Sequence, residues 1–281
     1  MNIHAFWAFL SLVKKLNEKS QGQYKPKIIF TSSIAVFGSP FPNQIPDDFI
    51  AAPRTSYGAQ KASCELMLND FSRKGFCEGL AIRLPTICVR PGKPNLAASS
   101  FFSGIIREPL SGINAQLPVS TAVRHWHASP RSAVRFLRHA ETLNFSQLTF
   151  NSGLNMPGLS CTVEEQIEAL RLVAGNEVVK LIEFKPDEKI IEIVKGWPQN
   201  FKAQKAKELG FSGKGSIHPK QISVLNNVFT PSIEVIERAK KITSIFEEAN
   251  TGLVVIDGKL IEKPVLREMY RILSIANKLN N

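Results

Sequence analysis

A short apolar run lies between two segments with helical periodicity near the start of the chain. In HAFWAFLSLVKK the apolar residues recur at the spacing of one helix face, whereas KPKIIFTSS (25–33) is typical of a buried parallel strand. A second helix is predicted from about Ser56 to Ser72, and GLAIRLPTICVRPG is predicted to form a second strand. Such alternation predicts an α/β fold with a mainly parallel sheet and helices on its faces.

The elements after these continue the alternation. QLTFNSG is a third candidate strand, and TVEE at 162–165 is a capping box that opens a helix ending at Gly175. VVKLIEF and PDEKIIEIVKGW add one more strand and one more helix. Beyond Phe211 the pattern becomes rich in helix, which predicts a domain over residues 1–211 and an α-rich appendage over 212–281.

The appendage has three predicted elements. Thr230-Pro231 caps a long amphipathic helix that runs to about Ala249. GLVVIDGKLIEK then predicts a small hairpin turned at Asp257-Gly258, and Pro264 begins a last helix.

The sequence indicates the cellular compartment of the protein and whether it binds a membrane. No apolar run approaches the 18 residues of a membrane-spanning helix, and the apolar N-terminal segment lacks the basic start and cleavage site of a signal peptide. The four cysteines form no CxxC pair, which favours reduced thiols in the cytoplasm over disulfides or a zinc site. We therefore expect a cytoplasmic protein with no membrane partner.

The net charge of +11 is concentrated in one stretch. Between Arg83 and Arg138 eight basic residues stand against a single acid, Glu108. This bias suits a small anionic substrate or cofactor, although a solvated basic face explains it equally well. A nucleic-acid partner is not expected, because no basic run carries interleaved aromatic residues.

One pair of residues suggests acid–base chemistry. Tyr57 and Lys61 are four positions apart in TSYGAQKAS, so both side chains lie on one helix face. A phenol has a pKa of about 10, and a neighbouring ammonium favours the phenolate that can take a proton from a hydroxyl group. Ser33 lies 24 positions before Tyr57, where a predicted strand ends. Its side chain can hydrogen-bond to the oxygen of that substrate hydroxyl. A bare YxxxK is a weak motif, and alone it is more often part of a surface helix.

The order of the strand, the serine pair, IAVFG, a Pro-rich loop and SYGAQK is more specific. It resembles the extended short-chain dehydrogenase/reductase family, also called the NAD-dependent epimerase/dehydratase family. RLPTICVRPGKPNLAASSFFSGIIREPLSG, RHWHASPRSAV and LNMPGLSCTVEEQIEALRLVAG are similar to its D-erythronate dehydrogenase branch, over residues 1–211. The resemblance implies an oxidoreductase that uses NAD to oxidise a hydroxyl of a small sugar acid.

The resemblance also implies roles for individual residues. Ser33, Tyr57 and Lys61 would be the catalytic set. The residues near the nicotinamide half of NAD would be Tyr57, Lys61, Pro85 and Thr86. The residues facing the substrate would be Ser33, Asn95, Ser99, Ser100 and Arg124. No metal is expected, because His125 and His127 lack a third ligand and are more often packing residues.

The glycine-rich turn of a dinucleotide site does not occur before Ser33. By resemblance, the chain begins at the helix before the catalytic-serine strand, so the fold is expected to be a partial Rossmann-like, doubly wound sheet without its N-terminal strands. An incomplete sheet exposes an edge strand, which favours self-association or a homo-oligomer. The missing turn also predicts weak NAD binding.

The tail has its own resemblance. GFSGKGSIHPKQISVLNNVFTPSIEVIERAKKITSIFEEANTGLVVIDGKLIEKPVL is similar to the C-terminal end of citrate lyase β-subunit-like proteins, which are TIM-barrel enzymes acting on CoA esters. Three functions therefore stay open: a sugar-acid dehydrogenase, impaired by the truncation; a catalytically silent remnant or interaction module; and a CoA-ester lyase-related role of the tail.

Overall fold

The computed structural model of the chain has two compact units, divided between Ile217 and His218. The predicted domain boundary after Phe211 stays a prediction, since the residues just beyond it lie outside the described ones. The structure describes residues 3–92, 97–145, 148, 153–212, 233–249, 253–256, 259–262, 266, 269–270 and 272–273.

The helices of these described residues alternate with ten strands. The helices are α1 (Ile3–Lys19), α2 (Ser56–Arg73), α3 (Ser100–Leu110), α4 (Pro130–Thr142), α5 (Val163–Ala174), α6 (Asn176–Val179), α7 (Glu188–Lys195), α8 (Gln204–Glu208) and α9 (Ile233–Ala249). The strands are β1 (Lys27–Ser33), β2 (Glu78–Leu84), β3 (Thr86–Ile87), β4 (Ala115–Leu117), β5 (Arg124–Ala128), β6 (Leu154–Asn155), β7 (Leu159–Thr162), β8 (Ile182–Phe184), β9 (Leu253–Ile256) and β10 (Lys259–Glu262).

The main sheet of the first unit has the strand order β1-β2-β6, and all of its pairings are parallel. Helices cover both faces of this sheet. Successive side chains of each strand point to opposite faces, so each strand can contact the helices on both sides. Phe30 of β1 packs with Leu10 of α1 and Leu68 of α2 on one face, whereas Ile82 of β2 packs with Phe136 of α4 on the other. The predicted α/β fold with a doubly wound parallel sheet is confirmed.

The first unit also has two smaller sheets. Strand β5 pairs parallel with β3 and antiparallel with β7, and β4 pairs parallel with β8. The prediction of a single strand over GLAIRLPTICVRPG is wrong, because β2 and β3 belong to different sheets. Pro85 stands between them and has no backbone N–H to continue a ladder, so the chain changes sheets there.

Local signals placed several boundaries correctly. The capping box between Thr162 and Glu165 is present, and α5 ends before Gly175, whose φ of +84° suits glycine. The strand predicted for VVKLIEF is correct only at its end, because Asn176–Val179 form α6 and β8 begins at Ile182. Two valines favour a strand only weakly, and in the structure they belong to α6, which contacts α5.

The third strand predicted, over QLTFNSG, lies mostly outside the described residues.

Helix α1 has the amphipathic pattern that the sequence predicts, but only part of its apolar surface is covered. Phe6, Leu10 and Val13 are buried against β1 and α2. Phe9 is 46% exposed and Leu12 is 55% exposed. The helix therefore carries a second apolar face that is open to solvent.

The second unit contains α9 and an antiparallel hairpin of β9 and β10, in which Leu260 pairs with Val255. The predicted long helix and hairpin are confirmed. The predicted cap at Thr230-Pro231, the turn at Asp257-Gly258 and the start of the last helix at Pro264 lie outside the described residues. Among the described helices of the whole chain, none combines the length and the apolar character needed to cross a bilayer.

Candidate active site

Ser33 is the last residue of β1, where the main sheet gives way to a short 3-10 turn over Ile34–Val36. Its side-chain oxygen accepts a hydrogen bond from the Ala35 backbone N–H at 3.1 Å, which caps that turn. In the sheet Ser33 pairs with Leu84 at the carboxyl end of β2. The capping bond uses the oxygen as an acceptor, so the hydroxyl hydrogen can still be donated to a substrate oxygen.

Helix α2 presents the other two predicted residues. Thr55 caps it by accepting a hydrogen bond from the Gly58 N–H at 3.0 Å, which fixes its first turn at the end of the Pro-rich loop. Tyr57 and Lys61 follow one turn apart on the same face. Tyr57 is 52% exposed, whereas Lys61 is only 8% exposed. The phenol is therefore open to an incoming ligand while the ammonium lies beneath it.

Gly58 brings the serine turn and the helix into contact. A β-carbon built on Gly58 would lie 2.0 Å from the Ala35 carbonyl oxygen and 3.0 Å from Pro53 Cβ. Only glycine allows the first turn of α2 to approach the 3-10 turn this closely. The structure thus places Ser33 and the Tyr57–Lys61 pair at the same end of the main sheet.

Lys61 is held against β1. Its Nζ donates a hydrogen bond to the Thr31 carbonyl oxygen at 2.6 Å and lies 4.8 Å from the centroid of the Phe30 ring. The centroid of the Tyr57 ring is 5.7 Å away. Burial lowers the pKa of Lys61, and the nearby Cys64 and Glu65 side chains act in the opposite direction.

The predicted cofactor residues Pro85 and Thr86 directly follow Leu84, the sheet partner of Ser33. Pro85 is buried, and Thr86 Oγ1 lies 2.7 Å from His125 Nε2. Both residues are therefore next to the end of the sheet that carries Ser33, and their role near the nicotinamide stays a prediction.

The predicted substrate residues are less closely gathered. Ser99 stands at the N-cap of α3 without a side-chain capping bond, and Ser100 begins that helix. Arg124 donates a hydrogen bond to the Ser160 carbonyl at 3.1 Å and forms an ion pair with Glu165 at 3.5 Å. Asn95 lies outside the described residues. The substrate roles of these residues stay predictions.

His125 and His127 are buried residues of β5. The His125 ring stacks on Phe102 at 5.1 Å, and His127 Nε2 lies 2.9 Å from the Gln166 side-chain nitrogen. Burial lowers the pKa of His125 to about 3, while a contact with the Pro198 carbonyl acts in the opposite direction. Burial and the neighbouring His125 lower the pKa of His127 well below its ordinary value. Both rings are thus neutral packing groups at physiological pH.

Two features of this site were not predicted from the sequence. The first is Gly58, which is a single letter inside SYGAQK. The second is a buried ion pair between Glu65 of α2 and Arg83 of β2, whose side chains are 2% and 1% exposed. Arg83, counted above in the basic stretch, is therefore a core residue. A charged residue within the apolar strand GLAIRL could have signalled such a buried partner.

Comparison with known proteins supports the resemblance found in the sequence. No family model matches the chain. A protein named D-erythronate dehydrogenase from Cupriavidus necator is 45% identical over 216 residues, which are 77% of this chain and 65% of that protein. The crystal structure of the nucleoside-diphosphate-sugar epimerase from Agrobacterium tumefaciens superposes with a TM-score of 0.73 at 53% identity, covering 79% of this chain and 64% of that one. The chain is homologous to these proteins and spans just under two thirds of their length.

A C-terminal part has a separate, weaker similarity. The citrate lyase subunit beta of Leuconostoc mesenteroides is 33% identical over 73 residues, which cover 25% of this chain and 24% of that protein. Both resemblances read from the sequence are therefore confirmed as similarities, each to a part of a longer protein.

Proposed function

We propose that the first unit is the catalytic part of a dehydrogenase that uses NAD to oxidise a hydroxyl of a small sugar acid such as D-erythronate. The observation that carries the proposal is the contact between the turn capped by Ser33 and the first turn of α2 at Gly58. This contact joins the end of β1, which carries Ser33, to the first turn of α2, which carries Tyr57. The 45% identity to a D-erythronate dehydrogenase supports this choice of reaction and substrate.

In the proposed reaction Tyr57 removes the proton of the substrate hydroxyl and Ser33 donates a hydrogen bond to the same oxygen. Lys61 supplies a positive charge 5.7 Å from the Tyr57 ring, on the buried side of the phenol. The bond from Lys61 to the Thr31 carbonyl fixes that charge in place. NAD, when bound, would supply the acceptor for the hydride that leaves the substrate carbon.

The described residues fit only one half of a dinucleotide. Tyr57, Lys61, Pro85 and Thr86 gather at the carboxyl ends of β1 and β2, where nucleotides bind in open parallel sheets. They would hold the nicotinamide and its ribose. Ahead of Ser33 the described residues form only α1, a loop containing Gly22 and β1, with no glycine-rich strand-to-helix turn for the pyrophosphate.

The sugar acid is anionic, and Arg124 is the basic residue that the resemblance assigns to it. Its side chain is 40% exposed while it bonds to the Ser160 carbonyl and to Glu165, so a carboxylate can approach it from solvent. Ser99 and Ser100 at the start of α3 would add hydroxyl groups to the same ligand.

The test is NADH formation from millimolar NAD and D-erythronate by the full chain. We expect Tyr57→Phe to abolish turnover, because the variant keeps the ring and loses the proton acceptor. Tyr24→Phe is the matched control, since Tyr24 is a half-exposed tyrosine in the loop after α1. Turnover that survives Tyr57→Phe would refute the mechanism.

Two other results would favour the alternatives. If the unaltered chain forms no NADH at any cofactor concentration, it is a silent remnant or an interaction module. If it cleaves a CoA thioester in the presence of Mg²⁺, the tail carries a lyase-related activity.

A further inference from the structure

Three polar residues lie in register across the main sheet. Ser32 of β1 pairs with Arg83 of β2, and Arg83 pairs with Asn155 of β6. All three are buried, with exposed fractions of 3%, 1% and 1%. A row of polar side chains inside a parallel sheet is costly unless each group finds a partner.

Glu65 of α2 supplies most of those partners. Its Oε2 accepts a hydrogen bond from Arg83 Nη2 at 2.7 Å, and its Oε1 accepts one from Arg83 Nε at 3.1 Å and another from the Ser32 hydroxyl. Arg83 Nη1 donates to Asn155 Oδ1 at 3.4 Å, and the guanidinium carbon lies 4.9 Å from the centroid of the Phe37 ring. The carboxylate thus joins the helix to two strands of the sheet.

This cluster is next to the candidate active site in sequence as well as in space. Ser32 immediately precedes Ser33, and Glu65 follows Lys61 by one helical turn on the same face as Tyr57. The bond from Glu65 to Ser32 therefore ties the strand that carries the serine to the helix that carries the tyrosine and the lysine.

We propose that Glu65 and Arg83 are positioning residues, which hold α2 against the carboxyl end of β1 at the separation that the Ser33–Tyr57–Lys61 site requires. This inference rests on the proposed function for its catalytic meaning, but the geometry itself can be tested without turnover. Stability alone does not explain the pair, because well-packed apolar residues often replace a buried ion pair without loss. What apolar residues cannot replace is the directional link through Ser32.

Two variants separate positioning from simple packing. Glu65→Leu combined with Arg83→Met removes both charges and keeps similar volumes, so that no unpaired charge is left buried. Ser32→Ala keeps the ion pair and removes only its link to β1. The matched control is Asp70→Leu with Arg73→Met, which removes an exposed ion pair of 2.6 Å from the same helix.

The readout is the rate at which dibromobimane joins two thiols introduced by Ser33→Cys and Tyr57→Cys. The four native cysteines are buried, so they react slowly. We expect the rate to fall by about tenfold or more in both variants, since displacements of about 1 Å have effects of this size on reactions between positioned groups. The control should keep the parental rate. An equal rate in every background, or no cross-link in the parent, overturns the proposal.

Turnover provides the second readout. If the chain forms NADH, Ser32→Ala should lower kcat with little change in KM and little change in the melting temperature. A parallel fall in stability and activity would show a packing role instead. Failure of the proposed function appears as absent turnover in the parent chain, whereas failure of this inference appears as an unchanged cross-linking rate.

Discussion

Gly58 and Ala35 meet where the turn capped by Ser33 touches helix α2, and a β-carbon on Gly58 would lie 2.0 Å from the Ala35 carbonyl oxygen. Backbone atoms stand on both sides of this contact, so no side-chain rotation can relieve a clash. The spacing between the two elements of the site therefore depends on the absence of a side chain at one position.

We expect Gly58→Ala to lower the free energy of unfolding by about 1–3 kcal/mol, the usual range for overpacking. It should also abolish any NADH formation, because α2 must move away from Ser33. Urea denaturation measures the first effect. Gly196→Ala is the control, since the nearest atom to its β-carbon would be the Ile193 carbonyl oxygen at 3.8 Å. Equal stability of the two variants would contradict the close contact.

The buried histidines predict sensitivity to acid. His125 is neutral in the folded chain down to a pKa of about 3, whereas an unfolded histidine takes up a proton near pH 6.5. The contribution of neutral His125 to the free energy of unfolding is therefore fully present above pH 6.5. It is lost as the pH falls from 6.5 towards 3, because the unfolded state binds more protons than the folded state. His125 alone costs about 2 kcal/mol of stability between pH 7 and pH 5.

Urea denaturation at pH 7 and pH 5 tests this expectation. His125→Phe keeps the ring that stacks on Phe102 and should reduce the acid-induced loss by about 2 kcal/mol. His127→Phe should act in the same direction, since burial also lowers the pKa of His127. The same substitution at exposed His4 is the control. An unchanged pH dependence in both core variants would show that these imidazoles are charged when folded.

The cofactor prediction concerns the pyrophosphate of NAD, because the described residues ahead of Ser33 form no glycine-rich turn between a strand and a helix. Several charge-assisted hydrogen bonds, each worth roughly 1.5–3 kcal/mol, normally hold the phosphates of a dinucleotide. The described residues offer only the nicotinamide-ribose side, so we expect no saturable NAD binding below millimolar concentration by residues 1–281. Isothermal titration calorimetry measures it. Micromolar affinity would mean that the phosphate site lies elsewhere in the chain.

Self-association is expected from the open surface beside the main sheet. Among the described strands β1 pairs only with β2, and the outer face of α1 exposes Phe9, Leu12 and Leu16. Light scattering after size exclusion should show mass that rises with concentration, and Leu12→Lys should reduce it. Leu172→Lys changes an equally exposed leucine on α5 and is the control. A concentration-independent monomer would count against the prediction.

The features that the sequence predicts correctly depend on residues that are close together in the chain. The apolar run before Ser33, the four-residue spacing of Tyr57 and Lys61 and the Thr162 capping box are all set within one or two turns of chain. Each of them has the position in the structure that the sequence indicates. The parallel sheet follows from their alternation.

The remaining features depend on residues far apart in sequence. Arg83 belongs to a basic stretch by composition, yet its charge is buried because Glu65 reaches it from the facing helix. Gly58 is constrained by Ala35, which belongs to the turn before the Pro-rich loop. The chain changes sheets at Pro85 because of pairings that no local pattern contains. Tertiary contacts of this kind cannot be read from one sequence.

The polar row beneath the site has a consequence for how this chain can change over generations. Ser32, Glu65, Arg83 and Asn155 come from three strands and a helix, and replacing either Glu65 or Arg83 leaves the other as a buried charge without its partner. A lineage can therefore exchange these two residues jointly but not one at a time. In a library of single substitutions Glu65 and Arg83 should be nearly invariant, while the apolar positions beside Arg83 on β2 still tolerate exchange among aliphatic residues.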